Sequence, residues 1–327
     1  MQKKVSTLLE CSRIFSLPMT LMSWLVVFTY SVINSGNAWY GILCLVAICL
    51  VHMGTNVLDD YFDYKSLIKQ VDFDKKEYLK NTQKTKCRYL ISGVLKESQV
   101  LELAGVYFFI ASIIGLFFYI KCGTPVIKFA LAGGFIALFY SLLSKIRLSE
   151  VAVALAYGPI LFGGVNYVMT KTISWEIFVL SIPTMIVTVI LLYIHTVMDF
   201  EFDIKEGHYT IANAFDSQLD ALIVLKILII LSYVSLFGIC IFDISDWQVL
   251  LPLITIPLSM DLFKSMTDYS LDNKSVPAHK WFHYPMENMK RIEKLGAENF
   301  MIRMYQSRNL MIYFALFLTV GLILSNI

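Results

Sequence analysis

Long apolar runs alternate with polar stretches along the whole chain. A helix needs about 20 mostly apolar residues to cross the hydrocarbon core of a bilayer. Nine runs approach that length, and they cover residues 15–34, 39–58, 100–120, 125–144, 150–170, 175–198, 219–242, 247–265 and 311–326. The pattern therefore predicts an all-α, polytopic membrane protein with nine transmembrane helices in one domain, residues 1–327.

Two longer polar segments, 59–99 and 266–309, interrupt this series of apolar runs. The second of them mixes aromatic and basic residues, which is typical of a segment that lies on a membrane surface. We expect 266–309 to be a cytoplasmic amphipathic segment before the last helix. A solvated loop that contains a helix is an equal alternative.

The composition agrees with a membrane protein. Of the 327 residues, 57% are hydrophobic and 16% are charged, and the mean hydropathy is +0.66. A soluble domain averages about 25% charged residues. The six cysteines are scattered without the spacing of a zinc site or a disulfide framework, so we interpret them as small core residues.

The distribution of lysine and arginine predicts the orientation in the membrane. If the N-terminus is cytoplasmic, 23 of the 27 basic residues fall in cytoplasmic segments. Cytoplasmic loops carry such an excess of positive charge. We therefore expect a multi-pass protein of the cell membrane, with its N-terminus inside and its C-terminus outside.

The second apolar run ends in an acidic stretch, "NVLDDYFDYK". Asn56, Asp59, Asp60 and Asp63 are spaced i, i+3, i+4 and i+7, which places them on one face of a helix. The sixth run ends in "HTVMDFEFDIKEGHYTIA", with Asp199 and Asp203 at i and i+4. Both stretches fall at cytoplasmic helix ends in the predicted topology.

Like charges one helical turn apart repel each other, so we expect cations to lie beside these carboxylates. Sets of oxygen ligands suit Mg²⁺, which binds a few carboxylates together with substrate phosphates. Two such clusters across a cavity would bind a diphosphate. Each cluster alone is also compatible with a solvated polar helix end, but two at matching helix ends favour a functional site.

Basic and aromatic side chains are candidates to complete such a site. A forked arginine suits a phosphate, and Arg88 follows the first acidic stretch. Lys145 also falls on the cytoplasmic side, where positive-inside anchoring is an alternative role. Aromatic faces such as that of Tyr140 can stabilise an allylic cation, although most aromatic residues only pack. Further basic candidates are Lys84, Lys86 and Arg147, and further aromatic candidates are Tyr157 and Tyr193.

Four stretches carry a resemblance to a known family. They are the two acidic stretches, "RYLISGVL" at 88–95 and "FYSLLSKIRLSEVAVALAYGPILFGG" at 139–164. With "RIFSLPMTL" near the N-terminus, they resemble the UbiA superfamily of intramembrane prenyltransferases, most closely the 1,4-dihydroxy-2-naphthoate polyprenyltransferases of menaquinone biosynthesis. The resemblance is strongest over residues 13–215.

The resemblance implies nine helices around a central cavity and Mg²⁺-dependent transfer of a polyprenyl group from a diphosphate to an aromatic acceptor. The implied partners are prenyl diphosphate, the acceptor and membrane lipid, with no nucleic acid. The implied metal ligands are Asp59, Asp60, Asp63, Asp199 and Asp203, and Asp63, Asp199 and Asp203 are also the catalytic candidates. His195, one turn before Asp199, is a further catalytic candidate by its own chemistry, as a base or an acceptor contact, and a packed, hydrogen-bonded histidine is the alternative. The candidate substrate contacts are Asn56, Lys65, Arg88, Lys145 and Lys205 at the diphosphate and Tyr140 at the allylic cation.

The chain also departs from the family pattern. Asp59 replaces a usual asparagine, and His195 and Thr196 replace two more, while Met198 replaces an arginine. His195, Thr196 and Met198 concern the acceptor and diphosphate end, so another acceptor or an intramolecular cyclisation of the prenyl chain stays an alternative. A cation-coupled transporter is a more distant alternative, because transporters usually bind substrate and ions at broken helices near the membrane midplane.

Overall fold

The computed structural model describes residues 11–70, 73–80, 87–206 and 209–327, and within these ranges the regular structure is helical. Nine of the helices in the described ranges are long and apolar enough to cross a membrane. They are α1 (Ile14–Ile33), α2 (Ala38–Leu67), α3 (Glu97–Cys122), α4 (Pro125–Ser144), α5 (Ser149–Thr170), α6 (Trp175–Met198), α7 (Gln218–Ile241), α8 (Trp247–Leu271) and α9 (Glu298–Leu324). The prediction of an all-α protein with nine spanning helices is confirmed.

Two helices are longer than the apolar pattern indicates. Helix α2 continues to Leu67, so the first acidic stretch forms its last turns instead of a connector. Helix α9 begins at Glu298, and α8 ends at Leu271, so the connector between them is shorter than 266–309. The polar residues of the added turns bond to neighbouring elements: Arg303 Nε donates to the Ser265 carbonyl at 2.8 Å.

The chain divides into two compact units. The first comprises residues 1–20 and 42–142 and therefore contains the start of α1, most of α2, all of α3 and nearly all of α4. Many large apolar side chains on α3 and α4 are exposed, among them Phe109 and Leu131. In a membrane protein such side chains face hydrocarbon, so their exposure agrees with a lipid-facing surface.

The second unit comprises residues 21–41 and 143–327, and α6 lies in its interior. Tyr193 of α6 is fully buried and donates from its hydroxyl to the Ala221 carbonyl of α7 at 2.8 Å. A kink at Gly158 interrupts α5, and a Cβ there would lie 2.7 Å from the Met185 sulfur of α6. A side chain at this position would therefore require the Met185 side chain to shift.

Candidate active site

The first acidic stretch occupies the last three turns of α2, in the first unit. Asp59 and Asp60 are 7% and 3% exposed, whereas Asn56 and Asp63 are half-buried. Two adjacent buried carboxylates are costly unless a positive charge lies beside them. The stretch therefore requires a cation from elsewhere in the protein or from a ligand.

Arg13, which immediately precedes α1, supplies that positive charge. Its guanidinium forms an ion pair with Asp60 and lies 3.7 Å from Asp59. Burial by itself would lower the pKa of Arg13, but the negative charges of Asp60 and Asp59 outweigh it and raise the pKa. By sequence, Arg13 is only one of the basic residues predicted to be cytoplasmic, and the signal for a further role is its place at the start of "RIFSLPMTL".

Three further residues lie beside this carboxylate pair. The Ser141 hydroxyl of α4 donates to Asp59 at 2.7 Å and is a second contact that the sequence did not reveal. Burial raises the pKa of Tyr89, and the charge of Asp60 adds to the effect. Burial likewise raises the pKa of the Cys11 thiol to about 11, again with a contribution from Asp60. Tyr89 and Cys11 are thus neutral neighbours of Asp60.

The second acidic stretch begins where α6 ends, in the second unit. His195 Nδ1 lies 3.2 Å from Asp199 Oδ2, and these side chains are 34% and 30% exposed. A short helix, Phe200–Glu206, follows and carries Asp203, whose amide donates to the Asp199 carbonyl at 2.8 Å. His195, Asp199 and Asp203 therefore follow one another along a nearly continuous helical path, as their spacing predicts.

Helices α8 and α9 support the second stretch from the side. The Tyr269 hydroxyl of α8 donates to the Met198 carbonyl at 3.3 Å, and Phe300 of α9 packs edge-on against His195 at 5.7 Å between ring centres. The guanidinium of Arg303 lies 4.9 Å from the centre of the Tyr269 ring. These contacts fix the end of α6, although the sequence after residue 266 carries no motif that we could assign.

The basic candidates are placed differently from one another. Lys65 Nζ bonds to Glu97 at 3.0 Å, and Arg88 donates to the Leu79 carbonyl at 2.5 Å, so both have protein partners. Lys145 is half-buried in the turn after α4, and Tyr140 is half-buried next to Ser141 on α4. Lys84, Lys86 and the side chain of Lys205 lie outside the described residues.

The donor chemistry of the two stretches fits a magnesium ion shared with a phosphate ligand. Among the described residues no group of three or more His, Cys, Asp or Glu side chains is placed to hold a metal by itself. Mg²⁺ commonly takes one or two carboxylates, several waters and substrate phosphates. Asp63 and Asp199 are partly exposed carboxylates on the acidic stretches, and oxygen donors of this kind suit that mode of binding.

A comparison with known families agrees with the two acidic stretches. Residues 16–286 match the UbiA prenyltransferase family. The chain belongs to the UbiA prenyltransferase family. The match spans both acidic stretches and helices α2 to α8 completely, and it includes Arg88, Ser141 and His195. No curated protein sequence matches the chain.

Solved structures of UbiA proteins share the fold. The structure of a digeranylgeranylglyceryl phosphate synthase has a TM-score of 0.60 at 15% identity and covers 98% of this chain and 99% of its own. A UbiA homologue from Archaeoglobus fulgidus bound to GPP and Mg²⁺ has a TM-score of 0.59 at 13% identity, with 93% and 99% covered. A homologue from Aeropyrum pernix in its apo form has a TM-score of 0.53 at 12% identity, with 93% and 97% covered. At these identities the likeness concerns the fold.

Proposed function

We propose that this UbiA protein is a Mg²⁺-dependent intramembrane prenyltransferase that moves a polyprenyl group from a prenyl diphosphate to an aromatic acceptor. The observation that carries the proposal is the pair of acidic stretches at the ends of α2 and α6, in a chain of this family. The homologue from Archaeoglobus fulgidus, which was solved with GPP or DMAPP and Mg²⁺, supports the class of substrate.

The metal would be held by carboxylates of both stretches. Asp63, Asp199 and Asp203 are the first candidates, while Asp59 and Asp60 act through their ion pairs with Arg13 or bind directly. When bound, Mg²⁺ neutralises charge that develops on a diphosphate leaving group. Oxygen donors and partial exposure at Asp63 and Asp199 fit this role.

The chain's own residues would orient the substrate and balance its charge. Arg13 and Arg88 carry guanidinium groups that suit phosphate oxygens. In the reaction the C–O bond between the allylic carbon and the diphosphate breaks, and the electron pair leaves with the diphosphate. A ring carbon of the acceptor then bonds to the allylic carbon and loses a proton or its carboxyl group.

The acceptor we propose is 1,4-dihydroxy-2-naphthoate, as in menaquinone biosynthesis. The proposal rests on the four stretches that resemble that branch of the family. His195, Thr196 and Met198 depart from the branch and lie at the end of α6, so they are the residues at which acceptor choice would differ. The acidic stretches would face the cytoplasm at the cell membrane, because most basic residues fall in the segments on their side.

A transfer assay tests the proposal. Purified protein in detergent receives Mg²⁺, a radiolabelled prenyl diphosphate and, separately, 1,4-dihydroxy-2-naphthoate, 4-hydroxybenzoate or no acceptor. We expect a lipid-soluble adduct with the naphthoate alone. An adduct with 4-hydroxybenzoate alone would assign another acceptor, and a hydrocarbon without acceptor would indicate cyclisation. Folded protein that consumes no diphosphate in any mixture would contradict the enzyme proposal itself.

A further inference from the structure

A buried histidine, His52, lies on α2 one turn before Asn56 and belongs to neither acidic stretch. It is 8% exposed and sits within the first unit. Its Nε2 lies 2.8 Å from the Ser16 hydroxyl, and its Nδ1 lies 2.6 Å from the Thr20 hydroxyl. Since both hydroxyls belong to α1, His52 joins the polar faces of α1 and α2.

The Ser16 hydroxyl connects this histidine to the first acidic stretch. It donates its proton to the Arg13 carbonyl at 2.7 Å and accepts a hydrogen bond from the Asn56 amide at 3.1 Å. Because the Ser16 proton is already directed at a carbonyl, His52 Nε2 must be the donor in its contact with Ser16. His52 Nδ1 then accepts from the Thr20 hydroxyl, so the network defines one tautomer of the ring.

Arg13 needs such support because its backbone is strained. Its φ and ψ of 48° and 49° lie in the left-handed region, which is unfavourable for a residue with a side chain. The Arg13 carbonyl accepts from both the amide and the hydroxyl of Ser16, at 2.8 and 2.7 Å. Ser16 therefore fixes the conformation from which the Arg13 guanidinium reaches Asp59 and Asp60.

We infer that His52 is a positioning residue of the first acidic stretch, which acts through Ser16 on Arg13 and Asn56. It does not touch the reacting groups. The inference deepens the proposed function, on which it rests, because the residues that His52 orients are those we assign to the metal and diphosphate end. Substitution of a residue that orients metal ligands typically lowers metal affinity or activity about 10–100-fold.

The test compares His52→Leu with His52→Gln. Leucine fills the site but removes both hydrogen bonds, whereas glutamine keeps a donor and an acceptor on one amide. We expect His52→Leu to lower kcat/KM for the prenyl diphosphate about 10–100-fold and to raise the half-saturating Mg²⁺ concentration. His52→Gln should recover most of the loss. The second readout is the rise in thermal midpoint that Mg²⁺ with inorganic diphosphate gives, which should be smaller in His52→Leu.

Asn166→Leu is the matched control for a merely structural effect. Asn166 is 3% exposed and accepts from the Ser31 hydroxyl of α1 at 3.0 Å, in the second unit and outside both acidic stretches. This variant should lower the thermal midpoint of the apo protein but keep the full response to Mg²⁺ and diphosphate. If His52→Leu behaved in the same way, the positioning role would be overturned.

Two further variants test the same inference by other routes. Thr20→Val removes the hydrogen-bond partner of His52 Nδ1 with little change of shape, and it replaces His52→Leu in the test if that variant does not fold. A wild-type response of Thr20→Val to Mg²⁺ and diphosphate would contradict the inference. In the double variant His52→Leu with Asn56→Ala, effects that pass through Asn56 should not add. A wild-type protein without turnover and without a Mg²⁺–diphosphate response would instead contradict the proposed function, so the two failures are distinguishable.

Discussion

The two acidic stretches differ in how their negative charge is balanced. In the first, Asp59 and Asp60 are almost fully buried and share the guanidinium of Arg13. In the second, the Asp199 side chain is 30% exposed and contacts His195, one turn earlier on the same helix. One pair of carboxylates thus shares the single positive charge of an arginine distant in sequence, and the other pair is in partial contact with solvent.

This difference separates two roles that the sequence pattern alone treats as equivalent. A buried carboxylate without its cation is strongly destabilising, so the Arg13 pairing belongs to the fold as well as to the site. An exposed carboxylate costs little before a ligand arrives, because water solvates it. We therefore expect substitutions of the buried Asp59 and Asp60 to affect stability and activity together, and those of the partly exposed carboxylates in either stretch to affect mainly activity.

The largest expected effect is the loss of a partly exposed carboxylate from either stretch. Asp63→Asn and Asp203→Asn should each lower prenyl transfer by about 10³-fold or more, since metal stabilisation of a leaving group is worth several kcal/mol and 1.4 kcal/mol is tenfold in rate. Both variants should keep a thermal midpoint close to that of the wild type, because both side chains are only half-buried. Product formation and thermal unfolding in detergent are the two measurements.

Asp246→Asn is the control for these two variants. Asp246 is an exposed residue in the turn between α7 and α8, outside both stretches. Its substitution should leave the transfer rate unchanged. Wild-type turnover in both Asp63→Asn and Asp203→Asn would rule out a shared diphosphate site, while loss in only one of them would assign the metal to that stretch.

Much of the fold could be predicted because it depends on local pattern. Nine apolar runs of the right length predict nine spans, and the i, i+3, i+4, i+7 spacing of the first stretch predicts one helical face. The early start of α9 could not be predicted in this way. Arg303 and Gln306 are polar residues, and their hydrogen bonds to neighbouring elements, such as those with Ser265, make them interior residues.

The carboxylates of the site could be predicted, but their partners could not. Asp60 and Arg13 are 47 residues apart, and Asp59 and Ser141 are 82 apart. No periodicity relates positions at such separations, because they meet through helix packing. The sequence pointed instead to Lys65, which the structure pairs with Glu97.

Arg13→Gln should have the largest effect on stability. It leaves two buried carboxylates without their cation, and breaking a buried ion pair in this way costs on the order of 3–5 kcal/mol. Arg13→Lys keeps the positive charge but loses the fork that spans Asp59 and Asp60, so its loss should be smaller. Thermal midpoints of the purified variants, measured without Mg²⁺ or diphosphate, give the comparison.

A second substitution tests the reason for this loss. In Arg13→Gln with Asp60→Asn, one of the two orphaned charges is gone, so part of the stability should return. The same Asp60→Asn change in the wild-type background should destabilise, because it leaves Arg13 with less negative charge beside it. If the double variant is no more stable than Arg13→Gln, charge balance is not the reason for the pairing.

The smallest expected effect is that of His195→Asn, which restores the amide typical of the family. His195 is one-third exposed, and an asparagine can still donate to Asp199, so kcat/KM should change by less than about tenfold. The pH profile of kcat/KM should keep its shape, because the acceptor ring is already electron-rich and needs no base. His279→Asn, at an exposed position of the α8–α9 connector, is the matched control. Loss of the acidic limb in His195→Asn alone would instead make His195 a general base and would give the second stretch a chemical role that the first lacks.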